Sequence, residues 1–462
     1  MTGTSETPSN DPTSPPAQSK SKDTARAGKE ASSAATTPFD MLSKYISFPT
    51  LDQEQWWKAT GPLLSRILAA SGYPLDQQYQ YLTFHHAQIV PRLGPYPARW
   101  ISGVTRSGLP IEFSMNYQQH GGGDPMVRIG LEPVDSYSGT GRDPFNQAPA
   151  ADLLHALARL GIKGFDPQLY SLFAAEHTLT PSDIAAVKDT LLKSQHTFGF
   201  DFKDSGIVVK GYTFPGARAK ARGVPIWDLI ADTVTHVRDA TTTTTTNDSK
   251  GNQLDCTDAF SLIRDYVSSK PDLYHDFTLF SWDYIDPAAS RLKYYCVSSD
   301  TTWARVEELW SLGGRAQSTA HTQGLPYLRK LWEILELQEG ARRFWGEGSY
   351  SDDRVEEQHH APMTWNYEMR GGEKVPLTKC YFPLYGMNDA ACVGRIARFF
   401  EWMGWAERAR AFAGVVRGFY PDLDISKTAR LILWVSFAYT EKSGVYLSVY
   451  FHPSLDYDER KK

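Results

Sequence analysis

The sequence predicts an α+β fold: about ten antiparallel strands closed into a barrel around a lumen, with an outer ring of helices. Three observations carry that expectation. Helical stretches followed by two strand-like stretches recur five times, with the signature positions of the second strands about 70–90 residues apart. Each strand pair is joined by a short connection and is therefore antiparallel. The second strands place Lys, Arg or Tyr on one alternating face and apolar side chains on the other. An open sheet of ten strands would accumulate twist and leave two edges, so it should close. A barrel of that size encloses a lumen, and the hydrophobic core becomes the layer between sheet and helices.

The elements follow in order. Residues 1–38 are Ser, Thr, Pro, Ala and Lys with almost no large apolar side chains, a composition that stays disordered. A single domain should run over residues 39–455, with a charged tail at 456–462. In the first unit Trp56, Trp57, Leu63, Leu64, Ile67 and Leu68 recur at helical spacing within Gln53–Ile89. A hairpin of Trp100–Tyr117 and Met126–Asp135 follows, around a Gly121–Asp124 loop. The second unit has helices at Ala150–Leu160 and Pro181–Ser194 and strands at Gly199–Lys203 and Gly206–Phe214. The third has helices at Val224–Arg238 and Asp255–Ser269, then strands at Thr278–Tyr284 and Arg291–Val297. The fourth has helices at Thr302–Leu312 and Leu325–Glu339, then strands at Met363–Met369 and Thr378–Tyr385. The fifth has helices at Asp389–Met403 and Trp405–Val415, then strands at Leu431–Thr440 and Gly444–His452. The threonine-rich segment Ala240–Asn252 is a polar surface loop.

Composition excludes several classes. The net charge of -5 argues against a nucleic-acid-binding surface. No apolar run is long enough to span a bilayer, and the N-terminus has no secretory h-region. Cys256, Cys296, Cys380 and Cys392 lack CxxC spacing and read as reduced, buried thiols of a cytoplasmic protein. Nothing demands a protein partner, so the chain is expected as a monomer or homodimer.

The inward face is the informative one. It should carry Arg128 and Gly130; Lys210 and Tyr212; Arg291, Lys293 and Tyr295; Lys379 and Tyr381; Tyr446 and Tyr450. Cations and phenols are unusual residues to bury. Such a wall suits a small, multiply charged anion beside something aromatic or cationic.

The motifs Gly108-Leu-Pro-Ile-Glu112-Phe-Ser, Val127-Arg128-Ile-Gly130, Val209-Lys210-Gly-Tyr212, Ser290-Arg291-Leu-Lys293-Tyr-Tyr295 and Val445-Tyr446-Leu-Ser-Val-Tyr450 stand in this order. With the repeat, they make the chain resemble the fungal dimethylallyltryptophan synthase family of indole prenyltransferases over about residues 39–455. The resemblance implies the ααββ (ABBA) prenyltransferase barrel. It implies transfer of a dimethylallyl group from dimethylallyl diphosphate to an aromatic carbon or nitrogen, with no obligatory metal or other cofactor.

On that resemblance Arg128, Lys210, Arg291 and Lys293 neutralise the diphosphate and stabilise it as it leaves. Lys379 stands where the family often has Gln, and adds a fifth positive charge or a different hydrogen bond. Tyr212, Tyr295, Tyr381, Tyr446 and Tyr450 shelter the allylic cation, each π face contributing roughly 0.5–2 kcal/mol when desolvated, while their hydroxyls reach diphosphate oxygens. Glu112 and Lys210 are the catalytic candidates, Glu112 accepting the indole N–H. Glu112, Val104, Gly130 and Thr278 form the acceptor pocket, Gly130 leaving room where the substrates meet. Members that take free tryptophan hold its carboxylate with an Arg at the position aligned with Thr278. A threonine there favours a neutral acceptor, such as a tryptophan-containing cyclic dipeptide.

Several motifs compete. Asp352-Asp353-Arg-Val-Glu356-Glu357 resembles an aspartate-rich Mg²⁺ motif but is single, and reads as a solvated loop. His359-His360 lacks a third ligand at credible spacing. The glycines at 121–123 open no helix and are not a phosphate loop. The residues leave open free tryptophan, tyrosine, a phenol or a xanthone as acceptor, and a longer donor. They also leave open diphosphate hydrolysis, and a non-catalytic barrel that binds an anionic aromatic metabolite.

Overall fold

A computed structural model describes residues 36–121, 123–187, 192–242, 253–342 and 361–453. The proposed disordered segment before residue 36, most of the threonine-rich loop, the acidic and His-His motifs at 352–360 and the tail at 456–462 lie outside the described residues.

The five hairpins are β1 (Ile111–Gln118) with β2 (Met126–Leu131), β3 (His196–Lys203) with β4 (Gly206–Thr213), and β5 (Phe280–Asp283) with β6 (Arg291–Ser298). After a two-stranded ribbon, β7 (Asp300–Thr301) with β8 (Gly340–Ala341), come β9 (Met363–Arg370) with β10 (Leu377–Pro383), and β11 (Ile432–Thr440) with β12 (Gly444–Phe451). The hairpin strands close in the order β1-β12-β11-β10-β9-β6-β5-β4-β3-β2, every pair antiparallel. Closure is made by β1 on β12, with Ser114 opposite Tyr450 and Gln118 opposite Tyr446. Both edges of the sheet are thereby removed.

Helices precede each hairpin. α1 (Pro38–Leu42), α2 (Leu51–Ala70) and α3 (Leu75–Phe84) precede β1. α4 (Ala148–Arg159), α5 (Gln168–His177) and α6 (Pro181–Ile184) precede β3. A short α7 (Gly216–Arg222) leads into α8 (Ile226–Thr241) and α9 (Thr257–Val267), before β5. α10 (Trp303–Trp310) and α11 (Thr319–Leu335) precede β9, and α12 (Asp389–Trp402) and α13 (Ala406–Phe419) precede β11. Caps start them where the sequence has Ser, Thr or Asn: Thr50, Thr302, Ser318 and Asn388 each accept a backbone N–H of the first turn.

Alternation sorts the two faces of the sheet. Outward residues such as Phe113, Met115, Phe198, Phe200, Trp282, Tyr294, Trp365, Tyr367, Leu447 and Val449 join Leu64, Ile67 and Leu68 of α2 in one continuous buried cluster. At about 25 cal/mol per Å² of apolar area, this annulus is what holds the barrel closed. It frees the inner wall from packing duty. The spacing Lys210-Gly-Tyr212 has its reason on this outer face. A Cβ on Gly211 would lie 2.5 Å from the Trp282 ring, so only glycine lets that indole cross β4. All four cysteines are unpaired and buried. Among the described residues no helix is long and apolar enough to cross a membrane.

Two sequence expectations need correction. Residues 100–110 are not part of the first strand; β1 begins at Ile111. Gly108 there has a φ of 84° and Pro110 lacks a donor, so the segment leaves the ladder. Of the second helix expected over Pro181–Ser194, only the single turn α6 is helical among the described residues, and α5 takes the place beside the barrel.

Candidate active site

The lumen is a cavity of about 1420 Å³, larger than the 300–1,000 Å³ typical of a site for one small ligand. Arg128, Lys210, Arg291, Lys293, Lys379, Tyr212, Tyr295, Tyr381, Tyr446, Tyr450, Glu112, Val104 and Gly130 all line it. Thr278 does not. It lies at the end of a 3-10 turn (His275–Phe277), with its side chain against the outward-facing Tyr294 phenol. Its neighbours Phe277 and Leu279 line the cavity instead. The position that the resemblance aligns with Thr278 thus lies outside the lumen, between two residues that line it.

The cations do not line the wall alone. Three carboxylates from first strands stand among them: Asp201 on β3, Asp283 on β5 and Glu368 on β9. Asp201 bridges Lys210 at 2.5 Å and Arg128 at 3.0 Å. Arg291 is held by Asp283 at 2.6 Å and by Glu368 at 3.1 Å, and Lys293 approaches Glu368 at 3.8 Å. The expectation of a wall of cations and phenols is amended accordingly: the five expected cations, joined by Arg370 on Glu368 at 2.6 Å, face three acids. The acids keep buried cations from standing unpaired before an anion arrives. Burial pushes the Asp201 carboxyl up, but Arg128 and then Lys210 outweigh it and hold it well below the usual range. Burial drives Lys210 down to about 7, with Asp201 pulling the other way. Lys379 is held far below its ordinary value by burial and then by Arg128, Lys293 and Lys210.

The tyrosines divide. Tyr212, Tyr295, Tyr381 and Tyr450 form an arc with successive ring centroids 6.1 Å apart. Tyr446 belongs with the cations. Its hydroxyl accepts from the Arg128 guanidinium, whose carbon lies 5.4 Å from the ring centroid, and Lys379 Nζ lies 5.2 Å from the same centroid.

Glu112 stands apart from the cations. It lies beside Gly130, and a Cβ on that glycine would come 2.9 Å from Glu112 Cγ and 3.0 Å from Oε1. The room left by Gly130 is thus filled by the Glu112 carboxyl. Burial alone pushes this carboxyl up to about 8. Glu112 lies at the rim where β1, β3, β5, β9 and β11 begin. Apolar side chains surround the cavity there: Val104, Leu192, Phe214, Phe277, Leu279 and Val297. Arg106 lines the same rim.

These two ends, an ion-paired cationic wall and an apolar rim with one carboxyl, meet across an arc of phenols. The tryptophan dimethylallyltransferase family matches residues 52–414. This chain belongs to that family. It is 47% identical to tryptophan dimethylallyltransferase nptA of Emericella nidulans over 91% of this chain and 94% of that protein. It is 42% identical to a deoxybrevianamide E synthase of Aspergillus versicolor, covering 92% and 95% of the two chains. The crystal structure of NotF in complex with brevianamide F and DMSPP superposes with a TM-score of 0.79 at 39% identity, covering 90% of this chain and 98% of that one. The chain is thus a fungal-type indole prenyltransferase, a transferase on the ABBA barrel. Among the described residues no group of three or more His, Cys, Asp or Glu could hold a metal ion.

Proposed function

We propose that this protein transfers the dimethylallyl group of dimethylallyl diphosphate to the indole of a tryptophan-containing cyclic dipeptide. The observation that carries the proposal is the division of one lumen into an ion-paired cationic wall and an apolar rim holding Glu112. Diphosphate binds Arg128, Lys210, Arg291, Lys293 and Lys379, with Tyr446 beside Arg128 and Lys379. The C1–O bond breaks and diphosphate leaves with the electron pair. The cations stabilise the charge that develops on it. The allylic cation left behind sits against Tyr212, Tyr295, Tyr381 and Tyr450, whose π faces stabilise it and whose bulk excludes water. Glu112, as a carboxylate, accepts the indole N–H and raises the ring's nucleophilicity. The ring attacks the cation, the new bond forms, and the proton the indole then loses passes to the Glu112 carboxylate, which restores aromaticity.

A neutral acceptor is favoured by the apolar side chains at that rim. It is favoured too by relatives named for deoxybrevianamide E and by a relative crystallised with brevianamide F. Free tryptophan is a second reading, favoured by Arg106 at the same rim, which could take a carboxylate. The protein needs no metal in this scheme, works in the cytoplasm, and acts as a monomer or homodimer. An acceptor panel with dimethylallyl diphosphate, run with and without EDTA, tests the acceptor and the metal-free chemistry. Turnover of cyclic dipeptides, unaffected by EDTA, is expected. Turnover of free tryptophan alone would favour the second reading, and prenol formed at one rate regardless of acceptor would contradict both.

A further inference from the structure

Residues 100–109 form no regular element, yet many side-chain bonds hold them. We propose that Glu132 is a positioning residue for the acceptor: through this segment it fixes the rim that holds the aromatic substrate and keeps water from the cation. The proposal rests on the reading that the apolar rim takes the acceptor.

Glu132 follows Arg128 and Gly130 at the next inward step along β2, just beyond the strand's end. Its N–H still donates to Pro110 O at 2.9 Å, continuing the pairing. The side chain is fully buried. Oε1 accepts from Trp100 Nε1 at 2.9 Å and Asn146 Nδ2 at 3.0 Å. Oε2 accepts from Ser102 Oγ at 2.5 Å, Ser194 Oγ at 2.8 Å and Gly103 N at 3.2 Å. Three of these donors belong to residues 100–103. Ser102 Oγ in turn accepts from Val104 N at 3.1 Å, and Ser194 Oγ accepts from Gly103 N at 2.9 Å. The carboxyl therefore sets the chain path immediately before Val104, Thr105 and Arg106, which line the cavity.

The other end of the segment is tied as well. Thr105 Oγ1 donates to Leu109 O at 2.8 Å, Ser102 N donates to Gly108 O at 2.9 Å, and Ser107 Oγ pairs with His452 Nε2 at 2.5 Å. His452 lies two residues beyond Tyr450 of the phenol arc. The segment is thus a strap across the rim from β2 to β12. A buried carboxylate that satisfies so many donors fixes geometry, and acceptor placement is where geometry counts most.

Glu132→Gln tests this in the full-length protein. An amide is nearly isosteric, but its NH₂ must face two or three of the same donors whichever way it lies. With dimethylallyl diphosphate and a tryptophan–proline cyclic dipeptide, the acceptor KM should rise about ten-fold or more. The share of donor ending as prenol should rise several-fold, while donor KM and inorganic diphosphate affinity stay within about two-fold. Hydrogen exchange should speed at 100–109 but not in the barrel strands. Ser107→Ala should move the same ratios in the same direction by less. A variant with lower kcat but unchanged acceptor KM and prenol share would overturn the proposal, since a smaller folded fraction moves neither ratio. If Glu132→Gln does not fold, Ser102→Ala and Ser107→Ala are judged by the same ratios. If the wild type transfers to no acceptor, the acceptor reading fails. The positioning claim then stands or falls on whether prenol formation and exchange at 100–109 respond to Glu132→Gln.

Discussion

The two ends of the lumen bury charge in opposite ways. At the cationic wall, Arg128, Lys210, Arg291 and Lys293 each have a carboxylate within 4 Å. At the rim, Glu112 has no such partner among the described residues, and burial pushes it up to about 8. A paired charge is held in place by its partner; a lone carboxyl has only burial acting on it, which favours its neutral form. The first arrangement suits an anion that must be gripped while it leaves. The second suits a group that meets a neutral ring and helps manage its proton.

The sharpest way to break this contrast is at Glu112. Glu112→Gln should lower transfer about 10²–10⁴-fold, the range for a positioned acid or base, and leave inorganic diphosphate affinity nearly unchanged. Single-turnover kinetics with parallel calorimetry checks both halves. At the other end, Asp201→Asn leaves Arg128 and Lys210 without their shared carboxylate. Breaking such a buried pair costs about 3–5 kcal/mol, so a large fall in Tm is expected. Inorganic diphosphate should then raise Tm by more in the variant than in the wild type; an equal rise would mean Asp201 does not stand in for the anion.

Smaller effects sharpen the division. Lys210→Ala removes one charge-assisted contact of about 1.5–3 kcal/mol, so donor affinity should fall about ten- to a hundred-fold while acceptor KM holds. Gly130→Ala drives a methyl against the Glu112 carboxyl. Transfer should fall roughly ten-fold through misplacement, without loss of diphosphate binding. The smallest effect is on pH. Lys210 sits near 7 in the empty lumen, so it is largely neutral at pH 8. A bound trianion favours the ammonium forms of Lys210 and of Lys379, which burial also holds down, so donor binding at pH 8 should take up protons and tighten as pH falls toward 7. Calorimetry in buffers of different ionisation enthalpy reads this directly. Ionisation of Glu112 runs the other way, so transfer at saturating donor should rise with pH through about 8.

Much of the barrel was legible because alternation survives wherever strands are regular. Arg128 and Gly130, or Lys293 and Tyr295, face inward because Ile129 and Tyr294 between them are needed outside. The same logic was available for Asp201, set between Phe200 and Phe202, and for Glu368, between Tyr367 and Met369. Both are acids on first strands, whereas the recurring Lys, Arg and Tyr pattern belongs to the second strands. Thr278 rests on the resemblance alone, and it ends a 3-10 turn that has no alternation to check the alignment against. The strap at 100–109 resembles a strand in sequence because Trp100, Ile101 and Val104 are strand-like residues. What fixes it is a carboxyl some thirty positions later, a contact no local pattern carries.

A ternary crystal structure with a non-ionising thiolodiphosphate donor and a tryptophan-containing cyclic dipeptide tests the divided lumen most directly. The diphosphate should lie on Arg128, Lys210, Arg291, Lys293 and Lys379, with the allyl group against the four-tyrosine arc. The indole nitrogen should lie within hydrogen-bond reach of Glu112. An indole bound away from Glu112, or a diphosphate seated among Val104, Phe214 and Leu279, would contradict it.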